Sequence, residues 1–275
     1  IVVNALPTAY AVTGGGGYCN GSAGSTIYLD GSNTGISYQL YNGSGAVGSA
    51  VSGTGGPISF GPQTSGNYMV VATNPATTCT QNMTGSVTSV MNALPTAYTV
   101  TGGGSYCAGG AGVEIGLSNS SASSSYQLYR NGGAVGSAVA GIGGTLSFGA
   151  QTAAGDYTVV AMNNTTSCSN TMSGTATVSV SSLPVAQTVT GGGEFCAGGA
   201  GVSVGLSGSA SGVNYQLYRN GGMVTGAIHA GGSGAIDFGA QTASGNYNVI
   251  ATSTANGCTN IMTGSVNVTA NSLPV

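Results

Sequence analysis

The sequence YQLYRNGGAV, residues 126–135, occurs three times in this chain with small changes. Tyr126 and Leu128 alternate with polar residues, as in a strand that buries one face. Asn131-Gly132 then supplies a tight hairpin turn, because both residues tolerate positive φ. The segment therefore predicts a β-hairpin that recurs in each copy. The equivalent turn pairs are predicted at Asn42-Gly43 and Asn220-Gly221.

The residues around this hairpin repeat in a fixed order. Each copy has a Leu-Pro pair, a Gly-rich turn with a cysteine, the hairpin, Phe-Gly, Gly-x-Tyr-x-Val, a second cysteine and a methionine. The Leu-Pro pairs lie 88, 89 and 90 residues apart. Self-similarity at this period indicates a string of complete domains. The predicted boundaries are 1–5 for the end of a preceding repeat, 6–93 for repeat 1, 94–182 for repeat 2, 183–272 for repeat 3 and 273–275 for the start of the next repeat.

Period-two segments dominate each copy, and none has the periodicity of a long helix. The length differences between copies fall between the motifs, where connections tolerate them, since a slip within a strand would turn its buried face outward. Seven or eight short strands with frequent turns predict a Greek-key β-sandwich. The predicted fold class is all-β, with three tandem immunoglobulin-like sandwiches in an elongated array.

The composition excludes several classes of partner. The chain has 52 Gly, and only 3% of its residues are charged, with a net charge of −3. Nucleic acids and anionic membrane surfaces bind basic patches, which two arginines cannot form. No apolar run approaches the length of a membrane helix, so membrane insertion is not expected. The 41% hydrophobic fraction, arranged in alternation, nevertheless favours a folded chain over a disordered one.

Six cysteines, two per repeat and without metal-type spacing, predict disulfides and hence an extracellular location. The preferred pairing lies within repeats, where each loop of about 60 residues would contribute on the order of 4 kcal/mol. Pairing across repeats, Cys79–Cys107 and Cys168–Cys196, is an alternative, as are six buried free thiols. The preferred pairs are Cys19–Cys79, Cys107–Cys168 and Cys196–Cys258.

Catalysis and metal binding need titratable groups that converge, and the sequence offers few of them. The single histidine, His229, is predicted to lie in a surface loop and has no equivalent in the other repeats. The five acidic residues do not recur at matched positions, except that Asp156 aligns with asparagines. We therefore expect no enzyme activity, no cofactor and no metal site.

Some motifs resemble a known family. Leu-Pro-x-x-x-x-Val-Thr-Gly-Gly-Gly-x-Tyr/Phe-Cys, Tyr-Gln-Leu-Tyr-Arg-Asn-Gly and Gly-x-Tyr-x-Val-x-Ala-Thr resemble tandem immunoglobulin-like repeats of giant cell-surface and gliding-adhesin-type proteins of Bacteroidota. The resemblance covers the whole chain. It implies export to the cell surface, by the type IX route, and a stalk or filament. It implies no ligand, because such repeats extend a protein whose binding tip lies elsewhere.

The sequence thus predicts a structural extracellular fibre or adhesin stalk, whose partners are copies of itself or neighbouring repeats. Leu-Pro linkers between the sandwiches would stiffen such a fibre, because proline fixes φ. Two alternatives remain open. The repeats could form an adhesive module that binds glycans or external surfaces through exposed aromatic residues, or they could be an accessory region of a secreted enzyme. The candidate aromatic residues are Tyr18, Tyr41 and Tyr129.

Overall fold

The computed structural model describes residues 3–274. The assignment of 1–5 and 273–275 to flanking repeats therefore lies outside the described residues at Ile1, Val2 and Val275. Residues 3–274 form strands, turns and loops but no helix, so none of these residues belongs to a helix that could cross a membrane. The all-β prediction is confirmed.

Each repeat contains nine strands, rather than the seven or eight predicted. Repeat 1 has β1 Val12–Gly14, β2 Gly16–Cys19, β3 Ser25–Leu29, β4 Ser37–Asn42, β5 Gly45–Ser52, β6 Ile58–Gln63, β7 Gly66–Thr73, β8 Thr80–Asn82 and β9 Val87–Asn92. Repeat 2 has β10 Val100–Gly102, β11 Gly104–Cys107, β12 Val113–Leu117, β13 Ser124–Arg130, β14 Gly133–Ala140, β15 Leu146–Gln151, β16 Gly155–Asn163, β17 Ser169–Thr171 and β18 Ala176–Ser181. Repeat 3 has β19 Val189–Gly191, β20 Gly193–Cys196, β21 Val202–Leu206, β22 Val213–Arg219, β23 Gly222–Ala230, β24 Ile236–Gln241, β25 Gly245–Ser253, β26 Thr259–Ile261 and β27 Val266–Asn271.

The strands of each repeat form two sheets with the same strand order in all three copies. In repeat 1, the order β1-β3-β6 makes a three-stranded sheet and β2-β9-β7-β4-β5 makes a larger one, with β8 added to β7. The chain crosses repeatedly between the two sheets, which is the Greek-key pattern. The prediction of three tandem sandwiches is confirmed.

A single apolar core joins the two sheets of repeat 1. Ile27 and Leu29 point into it from the three-stranded sheet, and Tyr38, Tyr68 and Val70 from the larger sheet. All five side chains are at most 2% exposed. The period-two motifs therefore form the buried faces of the strands, as the sequence predicts. The equivalent core of repeat 3 includes Val204, Leu206, Tyr215, Tyr247 and Val249.

The glutamine of the Tyr-Gln-Leu-Tyr motif fills a β-bulge. The register of β4 with β5 shifts between Tyr38 and Leu40, which leaves carbonyl groups without ladder partners. Gln39 Nε2 donates to the Leu40 and Val47 carbonyl oxygens, both at 2.9 Å. Gln127 and Gln216 make the same two contacts in the other repeats. One polar side chain thus satisfies the backbone at the bulge.

The hairpin loop differs between copies. In repeats 2 and 3 it is Asn131-Gly132 and Asn220-Gly221, with all four residues at positive φ, as predicted. In repeat 1 the prediction of Asn42-Gly43 is wrong, because Asn42 is the last residue of β4 and pairs with Gly45. The loop there is Gly43-Ser44, with positive φ at Gly43. The registers show that Asn42 occupies the position of Arg130 at the strand end, and Gly43 the position of Asn131 in the loop.

The first tyrosine of each Tyr-Gln-Leu-Tyr motif closes a loop from inside the core. Tyr38 Oη accepts a hydrogen bond from the Asn33 amide at 2.9 Å. Gly53 lies against the same ring, where a Cβ would come within 3.0 Å of the ring and 1.9 Å of the Asn33 carbonyl. Glycine is therefore required by this close approach. Tyr126 with Gly141, and Tyr215 with Gly231, repeat the arrangement.

The tyrosine of Gly-x-Tyr-x-Val pins the loop before its strand. Tyr68 Oη donates to the Thr64 carbonyl at 2.9 Å, and Tyr247 Oη donates to the Ala243 carbonyl at 2.7 Å. Each hydroxyl thus fixes the loop that leads into its strand, β7 in repeat 1 and β25 in repeat 3, as the tyrosine corner of immunoglobulin-like domains does.

The Leu-Pro segments are docked against the repeat that follows them. Pro7, Pro95 and Pro184 are buried. The Pro184 carbonyl accepts from Asn260 Nδ2 at 2.8 Å, and the Gln187 amide donates to Met262 Sδ at 3.3 Å. These prolines therefore belong to the folded body of a repeat, as well as limiting φ.

The chain divides into two compact units. The first comprises the residues up to Thr101, with Ile115–Phe148 and Asp156–Ala176. The second comprises Gly102–Glu114, Gly149–Gly155 and the residues from Thr177 onward. Repeat 1 lies wholly in the first unit and repeat 3 wholly in the second.

We predict that Tyr215→Phe lowers the free energy of unfolding by about 1 kcal/mol, because the half-buried Ala210 amide loses its acceptor. Tyr218→Phe is the matched control, since this half-buried tyrosine makes no side-chain hydrogen bond to any residue within 3–274. Chemical denaturation of the two variants measures the difference. Equal midpoints would contradict the role assigned to the Tyr215 hydroxyl.

Candidate functional site

The two cysteines of a repeat lie at opposite ends of its larger sheet. In repeat 1, β2 pairs in parallel with β9, so that Cys19 lies beside Asn92 where the last strand ends. β7 runs antiparallel to β9 and ends at Thr73, from which a short loop leads to Cys79. We call the end near Asn92 the exit pole and the end near Cys79 the entry pole.

The Leu-Pro segment marks the entry pole independently. Leu6 and Pro7 line a small cleft together with Asn74, which lies in the loop before Cys79. Chain entry and the second cysteine therefore share one end of repeat 1. The first cysteine lies at the other end, where the chain leaves for the next repeat.

The structure contains two disulfides, and both join neighbouring repeats. Cys19 of repeat 1 bonds Cys168 of repeat 2, with 5.5 Å between the Cα atoms. Cys107 of repeat 2 bonds Cys258 of repeat 3, with 5.6 Å between the Cα atoms. Both separations are typical of disulfides. The first cysteine of one repeat thus pairs with the second cysteine of the following repeat.

The predicted pairing within repeats is wrong. Cys19–Cys79, Cys107–Cys168 and Cys196–Cys258 are not formed, and neither are the alternative pairs Cys79–Cys107 and Cys168–Cys196. The expectation of six free thiols is also wrong, although Cys79 and Cys196 are free.

The strand register gives the physical reason for the correction. Counted along β9 and β7, Cys19 and Thr73 are ten residues apart, or roughly 33 Å at the rise of a β-strand. A disulfide requires Cα atoms within about 7 Å. Bonding Cys19 to Cys79 would therefore need the sandwich to be dismantled. The same registers place Cys196 and Cys258 at opposite poles of repeat 3.

A tight turn presents each second cysteine. In repeat 2, the Asn163 amide donates to the Cys168 carbonyl at 2.9 Å and the Ser167 amide donates to the Asn163 carbonyl at 2.9 Å. Ser167 adopts a left-handed conformation, with φ of 58°. Its equivalents are Thr78, with φ of 57°, and Gly257, with φ of 71°. The same turn therefore precedes each second cysteine, although the residue with positive φ is threonine, serine or glycine.

Each first cysteine ends a short strand that is held on both sides. The Ala108 amide donates to the Ser181 carbonyl at 2.9 Å, which extends the parallel pairing one residue beyond Cys107. The Gly110 amide then donates to the Cys107 carbonyl at 2.9 Å and reverses the chain. Tyr106 Oη donates to the Thr152 carbonyl and fixes the strand edge. The cysteine is therefore positioned by the backbone of its own repeat.

Each disulfide is a substantial constraint on the unfolded chain. The bonded residues are 149 and 151 positions apart. Closing such a loop by itself contributes about 5 kcal/mol by the loop-entropy model. The two loops also overlap in sequence, because Cys107 precedes Cys168. Repeat 2 is consequently bonded to both of its neighbours.

His229 lies within strand β23, so the prediction of a loop is wrong. Its exposed ring contacts Phe238 edge-on, with centroids 5.1 Å apart. Asp237 on β24 accepts from Ser203 Oγ and from the Gly239 amide. These two hydrogen bonds, and the nearby His229, lower the pKa of Asp237. The ionised carboxylate therefore favours the folded state at neutral pH, and this contribution is lost as the pH falls through the lowered pKa.

The structure does not gather metal-binding groups anywhere in residues 3–274: no three of its His, Cys, Asp or Glu side chains form a cluster that could hold an ion.

The three candidate tyrosines are half-buried. Tyr18 Oη lies 3.2 Å from Ser65 Oγ at the edge of repeat 1. Tyr129 lines a shallow groove of about 370 Å³ on the outer face of repeat 2, together with Gln127, Val160 and Met162. Tyr41 occupies the equivalent strand position in repeat 1.

Comparisons with known proteins find matches among solved structures. No family model and no curated protein matches the chain. Among solved structures, it is similar to Sidekick-1 immunoglobulin domains 1–4, with 14% identity, 98% of this chain and 73% of that chain covered, and a TM-score of 0.22. Chicken CNTN1 FN1–FN3 domains match with 12% identity, coverage of 97% and 99%, and a TM-score of 0.31. Fibronectin(III)-like modules of Clostridium thermocellum CbhA match with 15% identity, coverage of 63% and 95%, and a TM-score of 0.35.

We predict that the disulfide pairing can be mapped through the only two tryptic sites, Arg130 and Arg219. Non-reducing digestion of the denatured, thiol-blocked chain should leave fragments 1–130, 131–219 and 220–275 linked as one species. Cys19→Ser should release 131–219, and Cys107→Ser should release 220–275. Mass spectrometry identifies the released fragment.

Pairing within repeats gives a different result in the same experiment. Cys19→Ser would then release nothing, and Cys107→Ser would release 1–130. The two variants are thus each other's control, and either of these patterns would contradict the bonds between repeats.

Proposed function

We propose that this chain is a non-catalytic structural segment of an extracellular fibre or adhesin stalk at a cell surface, in which the repeats set the length. The observation that carries the proposal is that the disulfides lie between repeats. The junction of repeats 1 and 2 is crossed by the backbone and also by Cys19–Cys168. A second covalent link in parallel with the first restrains bending, twisting and separation at that junction.

The disulfides also support the extracellular location. Such bonds form and persist outside the reducing cytoplasm. The position of the two bonds is informative as well, because a disulfide within a domain stabilises only that domain, whereas a bond between domains transmits load from one to the next. Cys107–Cys258 repeats the arrangement one step further along the chain.

The surface chemistry fits a fibre exposed to variable conditions. Only 3% of the residues are charged, so contacts between copies vary little with pH or ionic strength. A nearly neutral surface also lacks the charge repulsion that keeps chains apart, which favours lateral association. Because Arg130 and Arg219 are the only Lys or Arg residues, trypsin-like proteases have two sites to attack.

The motif resemblance supports a cell-surface location for the proposed fibre. The Leu-Pro, Gly-rich and cysteine motifs resemble those of giant surface and gliding-adhesin-type proteins of Bacteroidota, which implies export by the type IX route. Repeats of that kind extend a protein and carry no ligand of their own. The role proposed here is the same, and it requires no partner other than neighbouring repeats or copies of the chain.

We predict that the oxidised chain, when unfolded under load, extends to only about a third of the length of the reduced chain. The shortest covalent route from Ile1 to Val275 runs to Cys19, across to Cys168, back to Cys107, and across to Cys258. It contains 18 Cα–Cα steps from Ile1 to Cys19, 61 steps from Cys168 back to Cys107, and 17 steps from Cys258 to Val275. Full extension is therefore limited to roughly 330 Å, against roughly 940 Å for the reduced chain.

Single-molecule force spectroscopy, with the chain held at its two ends, measures both lengths. The reduced chain is the control, and the double variant Cys19→Ser/Cys107→Ser should extend like it without reductant. If the oxidised chain extends to the length of the reduced one, the disulfides do not bear load and the proposed role fails.

The groove on repeat 2 favours a second candidate function, an adhesive module that binds glycans. Tyr129 and the side chain of Met162, which is 47% exposed, offer an apolar surface beside the amide of Gln127. A sugar ring could stack there. Glycan-array binding that is lost in Tyr129→Ala and retained in the control Tyr41→Ala would favour this function. Absence of binding by the unmodified chain would remove it.

A further inference from the structure

We propose that Cys196 of one copy of this chain forms a disulfide with Cys79 of a second copy, so that the bonding between repeats continues from one copy to the next. The inference rests on the proposed fibre and extends it, since it specifies a covalent bond by which one copy joins another. It rests on the two realised bonds and on the two thiols they leave unused.

The two free cysteines are complementary. The bonds Cys19–Cys168 and Cys107–Cys258 follow one rule: the first cysteine of a repeat bonds the second cysteine of the following repeat. Cys196 is the first cysteine of repeat 3, and Cys79 is the second cysteine of repeat 1. Each therefore matches one half of the same bond, and together they match both halves.

Cys196 has the backbone environment of a bonded first cysteine. β20 pairs in parallel with β27, which places Cys196 beside Asn271. The Ala197 amide donates to the Asn271 carbonyl at 2.8 Å, and the Gly199 amide donates to the Cys196 carbonyl at 2.9 Å. The corresponding two distances at Cys107 are both 2.9 Å. The backbone around Cys196 therefore has the hydrogen bonds found around the disulfide-bonded Cys107, although Cys196 is free.

Cys79 likewise has the environment of a bonded second cysteine. The Asn74 amide donates to the Cys79 carbonyl at 2.9 Å, and the Thr78 amide donates to the Asn74 carbonyl at 2.8 Å. Thr78 has a φ of 57°, against 58° for Ser167 before the bonded Cys168. The strained turn is therefore formed in repeat 1 even though no disulfide is present there.

The exposure of the cysteines shows what is missing around the free ones. The bonded second cysteines, Cys168 and Cys258, are each 1% exposed, whereas Cys79 is half-buried. The bonded first cysteines, Cys19 and Cys107, are half-buried, whereas Cys196 is exposed. Each free cysteine is therefore more exposed than its bonded equivalents, as expected if a neighbouring repeat covers the bonded ones.

The electrostatics allow the two ends to meet. Residues 74–84, around Cys79, carry no charged side chain, and Glu194 is the one charged residue within 190–205, around Cys196. Glu194 Oε2 accepts from Asn271 Nδ2 at 3.0 Å, which partly satisfies it within its own repeat. The segments next to the two cysteines therefore bring a single charged side chain, that of Glu194, to the proposed bond.

The bond requires an oxidant, for which we name a disulfide compound such as oxidised glutathione. The thiolate of Cys196 attacks one sulfur of the oxidant, forms a mixed disulfide and releases one thiol. The Cys79 thiolate of the second copy then attacks the Cys196 sulfur and releases the second thiol. The two cysteines lose two protons and two electrons, and the oxidant becomes two thiols.

Complementary single-thiol variants test the proposal. Cys79→Ser retains only the Cys196 thiol, and Cys196→Ser retains only the Cys79 thiol, while both existing disulfides stay intact. One variant is labelled with ¹⁵N, and the two are mixed with oxidised glutathione at high protein concentration. Intact-mass measurement separates the heterodimer from both homodimers, and peptide mapping identifies the bond.

The proposal predicts a heterodimer in at least about tenfold excess over either homodimer, a ratio that corresponds to 1.4 kcal/mol of preference. The unmodified chain should form a series of linear oligomers, and Cys79→Ser/Cys196→Ser should remain monomeric. Homodimers in statistical proportion, or no disulfide-linked dimer of any kind, would overturn it. The force measurement depends only on bonds within one chain, so it can succeed where this experiment fails, and the two failures are distinguishable.

Discussion

The parallel pairing of the second strand of each repeat with its last strand is the constraint on which the cysteine arrangement depends. Because β2 runs alongside β9, its final residue, Cys19, is carried to the end of the sandwich where the chain departs. The antiparallel course of β7 carries the other cysteine to the opposite end. Disulfide chemistry is short-ranged, so these two directions alone forbid a bond within the repeat and make one between neighbours possible. Where the strands point determines what the cysteines can do.

The sandwiches themselves are built with almost no charge. Polar backbone groups that the strand ladders leave unpaired are satisfied by uncharged side chains: Gln39 at the bulge, and Tyr38 and Tyr68 at loops. Such hydrogen bonds are insensitive to ionic strength, unlike ion pairs. Small cores of this kind have modest stability on their own, and long-range disulfides add constraint where the core is limited. The stability of these sandwiches is therefore expected to depend little on ionic strength.

The disulfides between neighbouring repeats couple each repeat mechanically to the next. In a chain of independently stapled domains, each domain could unfold or reorient without affecting the next. Here repeat 2 is bonded to repeat 1 through Cys168 and to repeat 3 through Cys107. The junction, which consists of the exit pole of one repeat and the entry pole of the next, is therefore crossed by a covalent bond in addition to the backbone. Cys79 and Cys196, which occupy the matching positions in repeats 1 and 3, are free.

The sequence by itself determined the repeats, the all-β fold and the buried faces of the strands, because periodicity and turn residues are local and each motif appears three times. It also pointed to disulfides. Only the tertiary structure decided which cysteines pair, since two cysteines 60 residues apart can lie at one end of a sandwich or at opposite ends, depending on strand direction. Parallel pairing of β2 with β9 is a long-range contact without a local signature, and neither the glycine beneath Tyr38 nor the hairpin shift in repeat 1 could be recognised until the strands were in place.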